Sequence, residues 1–590
     1  MMIPNLPRRP RRLPWFLLGV ACTLCFFFMI FLIAAAAFMV PPQVRIERGT
    51  VLEMDLGGVL TERPSMNVFE QMMGVTGDSL WNVRRALERA KDDDRIVAVK
   101  LNVGMLQNGW ATVAEVQSYL DAFRSSGKPV YAYLGSESIQ EKEYAAALGA
   151  DKLWIPPGGG MFIDGLRAEA TFFRGTLDKL KIVPEVLAFK EYKSAGESFE
   201  RTDMSEYLRE SLTSLLADTQ DWFVECVVSR RSLDEQAVLA QINKGLMSAH
   251  EAKSAGWVDA VGYTDELEAA IRSAADIEKY KGIGHAQYLL SQAPRKGTRS
   301  KLAVVFGEGL IISEDVDQLP FQEGVLSGPR IAAAIEAAAK DDAVKAIVFR
   351  INSGGGYIIG SDCIWRAIRN VRKPVVASMS DVAGSGGYWI AAGADKVIAQ
   401  PHTITGSIGV VSLKLNMRGL FEMAGITVDD VTLADNAGMF SMFESLSEEQ
   451  RALLISWMEE VYEQFKNRVA TGRSLSPDVV ETLAKGRVWN GKQALEHKLI
   501  DGLGGIDLAI REAKRLANIP ESEEVALDMY PKPRSFFEQV FAGGMPVAMA
   551  ARFGGVRPEL ARSLGQLPEP LLRDLSTPQP LALIPNISVR

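Results

Sequence analysis

Ser385 stands in the run Gly384-Ser385-Gly386-Gly387, and Lys193 in the run Tyr192-Lys193-Ser194-Ala195. A serine hydroxyl is a poor nucleophile until a base takes its proton. A lysine can be that base when desolvation brings its pKa down from ~10.4 towards neutrality. Lys193 follows Val186-Leu187-Ala188-Phe189 and precedes two small residues, an apolar setting for an amine. Ser385 falls where a strand over Pro374–Ser378 should give way to a helix over Gly386–Ala394. That junction offers unpaired N–H groups and the positive end of a helix dipole. Glycines on both sides let a substrate backbone come close, and an oxyanion formed there meets donors already in place. Each residue taken alone has a plainer reading. A serine between glycines is usually a turn, and a lysine such as Lys190 is usually a solvated surface group.

A second glycine cluster, Asn352-Ser353-Gly354-Gly355-Gly356, follows the apolar strand Ala346–Ile351. Ligands of open α/β sheets bind beyond the carboxyl ends of the strands. This loop and Ser385 both sit at such ends, so the cluster reads as an oxyanion loop and a strand-like substrate edge. No Gly-Lys-Ser/Thr follows it, which argues against a phosphate loop. His402 is the one histidine near Ser385 in sequence, and it is the alternative base.

The elements that must position these groups occur twice. Lys128-Pro129-Val130 matches Lys373-Pro374-Val375 at an offset of 245, and Gly149-Ala150-Asp151-Lys152 matches Gly393-Ala394-Asp395-Lys396 at 244. Ser385 then answers Gln140 or Glu141. Lys193 has no counterpart, because the second copy has no lysine between Lys414 and Lys466. In the first copy, Arg45–Leu60 reads as strands, Ser79–Asp92 as an amphipathic helix and Ile96–Leu101 as a buried strand. The second copy repeats the order with Leu302–Phe306, Arg330–Lys340 and Ala346–Ile351. Lys244–Asp259 likewise parallels Lys485–Asp501. Alternating strands and helices predict βαβ crossovers and an α/β fold. The expected units are 41–290 and 291–530, joined through the polar stretch Gln292–Ser300 and followed by an extension over 531–590. Phe536, Phe537, Val540 and Phe541 in that extension have amphipathic spacing.

Composition sets further bounds. The 590 residues are 47% hydrophobic and 23% charged, values that suit a large globular core. A net charge of −8 argues against nucleic acid as a partner. Trp15–Val40 carries no charge and exceeds the ~20 helical residues that span a bilayer. Arg8, Arg9, Arg11 and Arg12 precede it, which predicts a cytoplasmic segment 1–14, an anchor over 15–40 and export of the remainder. A cleavable signal peptide would have a shorter apolar core of ~7–15 residues. Cys226 and Cys363 are the only cysteines beyond that run, enough for a single disulfide. With four histidines and no zinc spacing, no metal site is expected.

Four motifs in order, Tyr192-Lys193-Ser194-Ala195, Asn352-Ser353-Gly354-Gly355, Gly384-Ser385-Gly386-Gly387-Tyr388-Trp389 and Thr405-Gly406-Ser407-Ile408-Gly409, resemble the signal peptide peptidase A family. The likeness is to its long, duplicated, membrane-anchored bacterial form and covers all but the extension. It implies tandem ClpP/crotonase-like domains and a Ser/Lys dyad split between the copies, with Ser385 as nucleophile and Lys193 as general base. Ser407 would orient the lysine, and Gly386 with Gly354, Gly355 and Gly356 would form the oxyanion hole. It also implies a homotetramer on the periplasmic face of the bacterial inner membrane, cutting signal peptides and other apolar peptides with no cofactor. Gly354 departs from the proline common at that position, and His402 has no family counterpart. A crotonase-type acyl-CoA enzyme and a non-catalytic scaffold are the rival readings. Export away from cytoplasmic CoA argues against the first, and the complementary survival of Ser385 and Lys193 against the second.

Overall fold

The computed structural model describes residues 45–64, 78–292, 300–315 and 324–532, together with Thr23, Phe26, 581–583 and 588–589. The expected basic segment, the rest of the anchor, the linker residues 293–299 and the amphipathic stretch at Phe536–Phe541 lie outside the described residues. Among the described residues, no helix is long and apolar enough to cross a membrane.

The first copy alternates β1 (Thr50–Gly58), α1 (Leu80–Lys91), β2 (Ile96–Leu106), α2 (Trp110–Arg124), β3 (Val130–Tyr133), α3 (Glu141–Ala147) and β4 (Lys152–Ile155). It continues through β5 (Val183–Phe189), α4 (Glu206–Arg231), β6 (Ala260–Val261) and β7 (Gly282–Gly284). The sheet order is β7-β1-β2-β3-β4-β6, and every neighbour is parallel. Parallel neighbours need crossovers, which the intervening helices supply. Local sequence sets each one: α1 begins where the Ser79 side chain accepts the Asn82 N–H, and it buries Leu80, Val83 and Leu87.

The second copy repeats the pattern. Its main elements are β8 (Lys301–Glu308), β9 (Leu310–Ile312), β10 (Val325–Ser327), α5 (Gly328–Lys340), β11 (Val344–Ser353), β12 (Gly355–Tyr357) and α6 (Ile358–Asn370). Then come β13 (Val375–Gly384), α7 (Gly386–Ala391), β14 (Lys396–Ala399), β15 (Ile404–Gly406), β16 (Val410–Asn416), α8 (Glu448–Arg473), β17 (Val488–Trp489), β18 (Gly502–Leu503) and β19 (Ala526–Tyr530). The main sheet runs β17-β15-β13-β11-β8-β19, with β14 and β18 continuing from β13. A further sheet, β10-β9-β12-β20-β16-β5, contains β20 (Leu581–Leu583) and joins the two copies.

The duplication extends to individual hydrogen bonds. The Asp151 carboxylate accepts the Val130 N–H at 2.8 Å, and Asp395 accepts the Val375 N–H at 2.8 Å. Tyr144 donates to the Trp257 carbonyl as Tyr388 does to that of Leu499. Helices α4 and α8 are both 26 residues long, start after a capping serine and end on a left-handed serine.

The copies are welded by burial and by charge. Along β8, Leu302, Val304 and Phe306 belong to the core shared with the first copy, whereas Ala303 and Val305 face the core of the second. That is the two-residue period of a strand covered on both faces. Arg350 on β11 crosses between copies: its guanidinium donates to Glu62 at 2.7 Å, to Glu115 at 2.6 Å, and to Ser378 and Ser380 at 3.0 Å each. Asp381 in turn accepts the Gly109 and Thr112 N–H groups at 2.8 Å each, capping α2 from the other copy. Cys226 and Cys363, which could have made one disulfide, are both free thiols.

Candidate active site

Three elements converge on Ser385. Strand β13 delivers it and α7 starts immediately after it, with Ser385 at the cap position at φ 53° and ψ −114°. A non-glycine residue there costs on the order of 1–3 kcal/mol. The turn is held by the Ser385 N–H donating to the Gly406 carbonyl at 2.8 Å and by the Trp389 N–H donating to the Ser385 carbonyl at 2.8 Å. The glycines around it are packing requirements. A Cβ on Gly386 would stand 2.5 Å from Ser361 Oγ and 3.3 Å from the Gly355 Cα, and one on Gly387 would stand 2.8 Å from the Ser353 carbonyl oxygen. The glycine loop between β11 and β12 can therefore lie directly against the start of α7.

Lys193 arrives from the other copy. Strand β5 pairs antiparallel with β16 over seven residues, from Val183 opposite Asn416 to Phe189 opposite Val410. Beyond β5 the chain is fixed by the Tyr192 N–H donating to the Lys485 carbonyl and the Lys193 N–H donating to that of Lys190, both at 3.0 Å. On the far side of the same loop, the Ser407 N–H donates to the Arg487 carbonyl at 2.7 Å, and the Gly486 N–H to the Ile408 carbonyl at 2.8 Å. Residues 485–487 thus form a spacer between the lysine and Ser407. Gly486 (φ 88°) makes this possible, because a Cβ there would lie 2.5–2.7 Å from the Lys193 N, Cα and Cβ.

The result is a buried polar triangle. Lys193 Nζ stands 2.6 Å from Ser385 Oγ, 2.9 Å from the Ser407 carbonyl oxygen and 3.0 Å from Ser407 Oγ. Lys193 is 2% exposed, and Ser385 and Ser407 are 0% exposed. Burial holds the amine well below the ordinary lysine range. Among the described residues, no carboxylate hydrogen-bonds to this amine. A neutral amine has two N–H donors and one lone pair. Two oxygens of Ser407 can take the donors, which leaves the lone pair for the Ser385 hydroxyl proton.

The remaining candidates are placed as follows. Gly386 begins α7, where the first N–H groups have no intrahelical acceptor. The Gly355 N–H donates to Ser353 Oγ at 3.1 Å, while Gly355 (φ 106°) and Gly356 (φ 154°) sit in β12 beside that turn, after Gly354. His402 does not join the group. Among the described residues neither of its ring nitrogens has a hydrogen-bond partner, its ring packs 4.5 Å from that of Trp222, and burial pushes its pKa down to about 4.

The first copy shows what became of its own version. Gln140 caps α3 as Ser385 caps α7, and the Glu143 carboxylate accepts the Leu106 N–H at 2.7 Å and the Gln140 N–H at 3.1 Å. A resident carboxylate fills the donors at the strand end and the helix start. Sequence reasoning identified the loss of the serine but missed Glu143. It also missed the packing roles of Gly486 and of Gly409, whose added Cβ would stand 2.8 Å from the Phe189 carbonyl oxygen. The signal for these was a glycine on each side of the splice between copies, visible only once β5 and β16 are known to pair.

Beside β5, a recess of about 330 Å³ is lined by Val186, Leu187, Ala188, Phe189, Ile455 and Met458. Its walls are apolar and adjoin the Lys193 segment.

Comparison with known proteins gives a consistent match. The model of peptidase family S49 matches twice, over residues 122–278 and 367–520. The chain is 30% identical over 523 residues to the serine protease SPPA, chloroplastic, of Arabidopsis thaliana, covering 87% of this chain and 76% of that protein. It is 30% identical over 561 residues to Protease 4 of Salmonella typhi, covering 90% and 87% respectively. A putative signal peptide peptidase SppA of Enterococcus faecium is 37% identical over 181 residues, 30% of this chain and 52% of that protein.

Proposed function

The chain belongs to peptidase family S49, and from that premise we propose a serine endopeptidase that degrades cleaved signal peptides and other apolar peptides with a Ser385/Lys193 dyad. The observation that carries this reading is the 2.6 Å contact between the Lys193 amine and the Ser385 hydroxyl, buried with no hydrogen-bonded carboxylate among the described residues to keep the amine charged.

Neutral Lys193 takes the hydroxyl proton as Ser385 Oγ bonds to the peptide carbonyl carbon. The carbonyl π electrons move to oxygen, and the oxyanion faces the Gly386 N–H and the Gly354–Gly356 loop. The C–N bond then breaks, the leaving nitrogen takes the proton from Lys193, and an acyl ester remains on Ser385. Water attacks that ester and gives its proton to the same amine. The C–O bond breaks, the acid leaves, and Oγ regains its proton. Ser407 holds two N–H groups of the lysine, which aims the lone pair at Ser385. The apolar recess beside β5 suits side chains of an apolar peptide.

The architecture reads as two ClpP/crotonase-like units, over 41–290 and 291–530. The run Trp15–Val40 and the arginines before it read as an anchor in a bacterial inner membrane, with the catalytic part outside the cytoplasm. The repeat itself supports an oligomer. Helices α4 and α8 start at positions 206 and 448. On that spacing β5 answers residues 425–431, which make no strand pairing among the described residues and expose Ile426, Val428 and Val431 at 49%, 37% and 91%. The ladder that β5 makes inside the chain has a natural equivalent between chains, which fits a ring of identical subunits such as a tetramer.

Hydrolysis of a quenched fluorogenic apolar peptide by wild type, Ser385→Ala and Lys193→Ala tests the reading. Both variants are expected to fold and to lose at least about 10³-fold in kcat. A Lys193→Ala chain of near wild-type rate would remove the lysine from the mechanism.

A further inference from the structure

Arg487 touches what holds each side of the buried triangle. Its own carbonyl accepts the Ser407 N–H at 2.7 Å. Its side chain reaches the other copy, where Nη1 stands 2.9 Å from one Glu210 carboxylate oxygen on α4. The other oxygen of that carboxylate accepts the Tyr192 hydroxyl at 2.8 Å, and Tyr192 immediately precedes Lys193. The guanidinium carbon lies 5.1 Å from the centre of the Tyr192 ring and 4.4 Å from that of the Trp489 ring.

Those two rings stand beside the two groups that must meet. The Tyr192 ring also packs 4.9 Å from Tyr207 of α4. Trp489 lies opposite Thr405 where β17 pairs with β15, and its indole N–H donates to the Leu483 carbonyl at 3.0 Å. Its Cδ1 is 2.8 Å from where a Cβ on Gly406, the residue before Ser407, would stand. One planar cation therefore bridges the ring next to Lys193 and the ring that backs Ser407. The first copy lacks this arrangement. Gly245 (φ 85°) answers Gly486 (φ 88°), so the place of Arg487 falls to Leu246, which is 51% exposed. The arginine stands only in the copy whose serine meets Lys193.

The ion pair is the lesser part of the contact. The Glu210 side chain is 51% exposed and that of Arg487 23%, and a pair so open to water contributes little. A guanidinium packed on aromatic rings is the stronger tie, and a lysine ammonium reproduces its charge but not its plane.

We propose that Arg487 is a positioning residue for the dyad, a clamp across the two copies that holds the Lys193 segment within hydrogen-bond reach of Ser407 and Ser385. This rests on the peptidase reading of the site. Without the clamp, Tyr192 and the 485–487 loop part, the amine loses its aim, and water reaches it. Burial is what depresses the Lys193 pKa, so water entry returns it towards the ordinary lysine range.

The test measures hydrolysis of a quenched fluorogenic apolar peptide, and the pH dependence of Ser385 labelling by an activated-serine probe. The chains are wild type, Arg487→Met, Arg487→Lys, Glu210→Gln and Tyr192→Leu. Arg487→Met is expected to lose about tenfold in kcat with KM within about twofold, and its labelling should rise through a higher apparent pKa than that of wild type. Tyr192→Leu removes the clamp from the other side and should give the same losses, with the double variant no slower than the slower single one. Arg487→Lys should recover part of the rate, and Glu210→Gln should stay within about threefold of wild type. Unchanged kcat in both Arg487→Met and Tyr192→Leu would overturn the proposal, as would a lower kcat with the labelling pKa unmoved. Competitive acetylation of Lys193 in Ser385→Ala, with and without Arg487→Met, reads the amine pKa without turnover. A raised amine pKa in chains that show no hydrolysis in any form keeps the clamp and removes the peptidase. An unmoved amine pKa while wild type hydrolyses normally keeps the peptidase and removes the clamp.

Discussion

Gly486→Ala should inactivate the protein without touching either member of the dyad. At φ 88° a Cβ on residue 486 would stand 2.5 Å, 2.6 Å and 2.7 Å from the Lys193 N, Cα and Cβ. Carbon contacts settle near ~3.5–4.0 Å, so the lysine backbone must retreat by about 1 Å. A misplacement of that size costs on the order of 10²-fold in rate. The amine has no slack to absorb it, since Nζ is tied to Ser385 and to both oxygens of Ser407. Left-handed backbone on alanine adds about 1 kcal/mol of lost stability. Gly127→Ala is the control: its φ is 83° and nothing lies within 4 Å of the added Cβ, so it carries the backbone cost alone. The assay is kcat/KM on a fluorogenic peptide, with thermal melting to follow stability. Gly486→Ala should fall by about 10²-fold, and Gly127→Ala should stay within about twofold of wild type. Equal kcat/KM for Gly486→Ala and wild type, with the fold intact, would refute the idea that the 485–487 loop sets the lysine position.

Other consequences follow from the buried charges. Because burial depresses the Lys193 pKa, the unfolded chain binds a proton that the folded chain does not, from the depressed value up to about 10.5. Native stability contributed at this residue therefore rises with pH, and Lys193→Met should be more stable than wild type at pH 7, with the gain shrinking as pH approaches 10.5 in urea denaturation. His402→Leu should leave kcat/KM within about twofold and stabilise the fold by about 1 kcal/mol, since its nitrogens have no partner among the described residues to lose. That gain should grow as pH falls from 6.5 towards about 4, where the unfolded chain protonates the histidine and the folded chain does not. Arg350→Met strands Glu62 and Glu115 in the core between the copies, and it should cost about 3–5 kcal/mol by equilibrium unfolding.

The parallel sheets were legible because their strands are near-continuous apolar runs: Ile96–Leu101 became the first half of β2, which runs on to Leu106, and Ala346–Ile351 the centre of β11. The repeat was legible because its punctuation carries structure, with Asp151 and Asp395 each accepting the N–H of the valine that opens the preceding strand. Ser385 and Lys193 could be singled out because each is absent from the opposite copy. Their meeting could not be read from spacing, because it depends on β5 pairing with β16, two strands more than 220 positions apart in sequence. Glu143 and Arg350 were hidden for a different reason. A charged residue in an apolar stretch reads as a surface break until its partners are known, and the partners Glu62 and Glu115 of Arg350 lie in the other copy. His402 illustrates the converse error. Nearness to Ser385 in sequence made it a candidate, but the fold turns its ring onto Trp222.

The central claim is that Lys193 activates Ser385 as a neutral buried amine. The direct measurement is the rate of labelling by an activated-serine probe as a function of pH, for wild type, Lys193→Met and Ser385→Ala, with the labelled peptide identified by mass. The account predicts modification at Ser385 alone, at a rate that rises through an apparent pKa below the ordinary lysine range, and loss of labelling in both variants. Labelling of Lys193→Met at the wild-type rate, or with an unchanged pH profile, would contradict it.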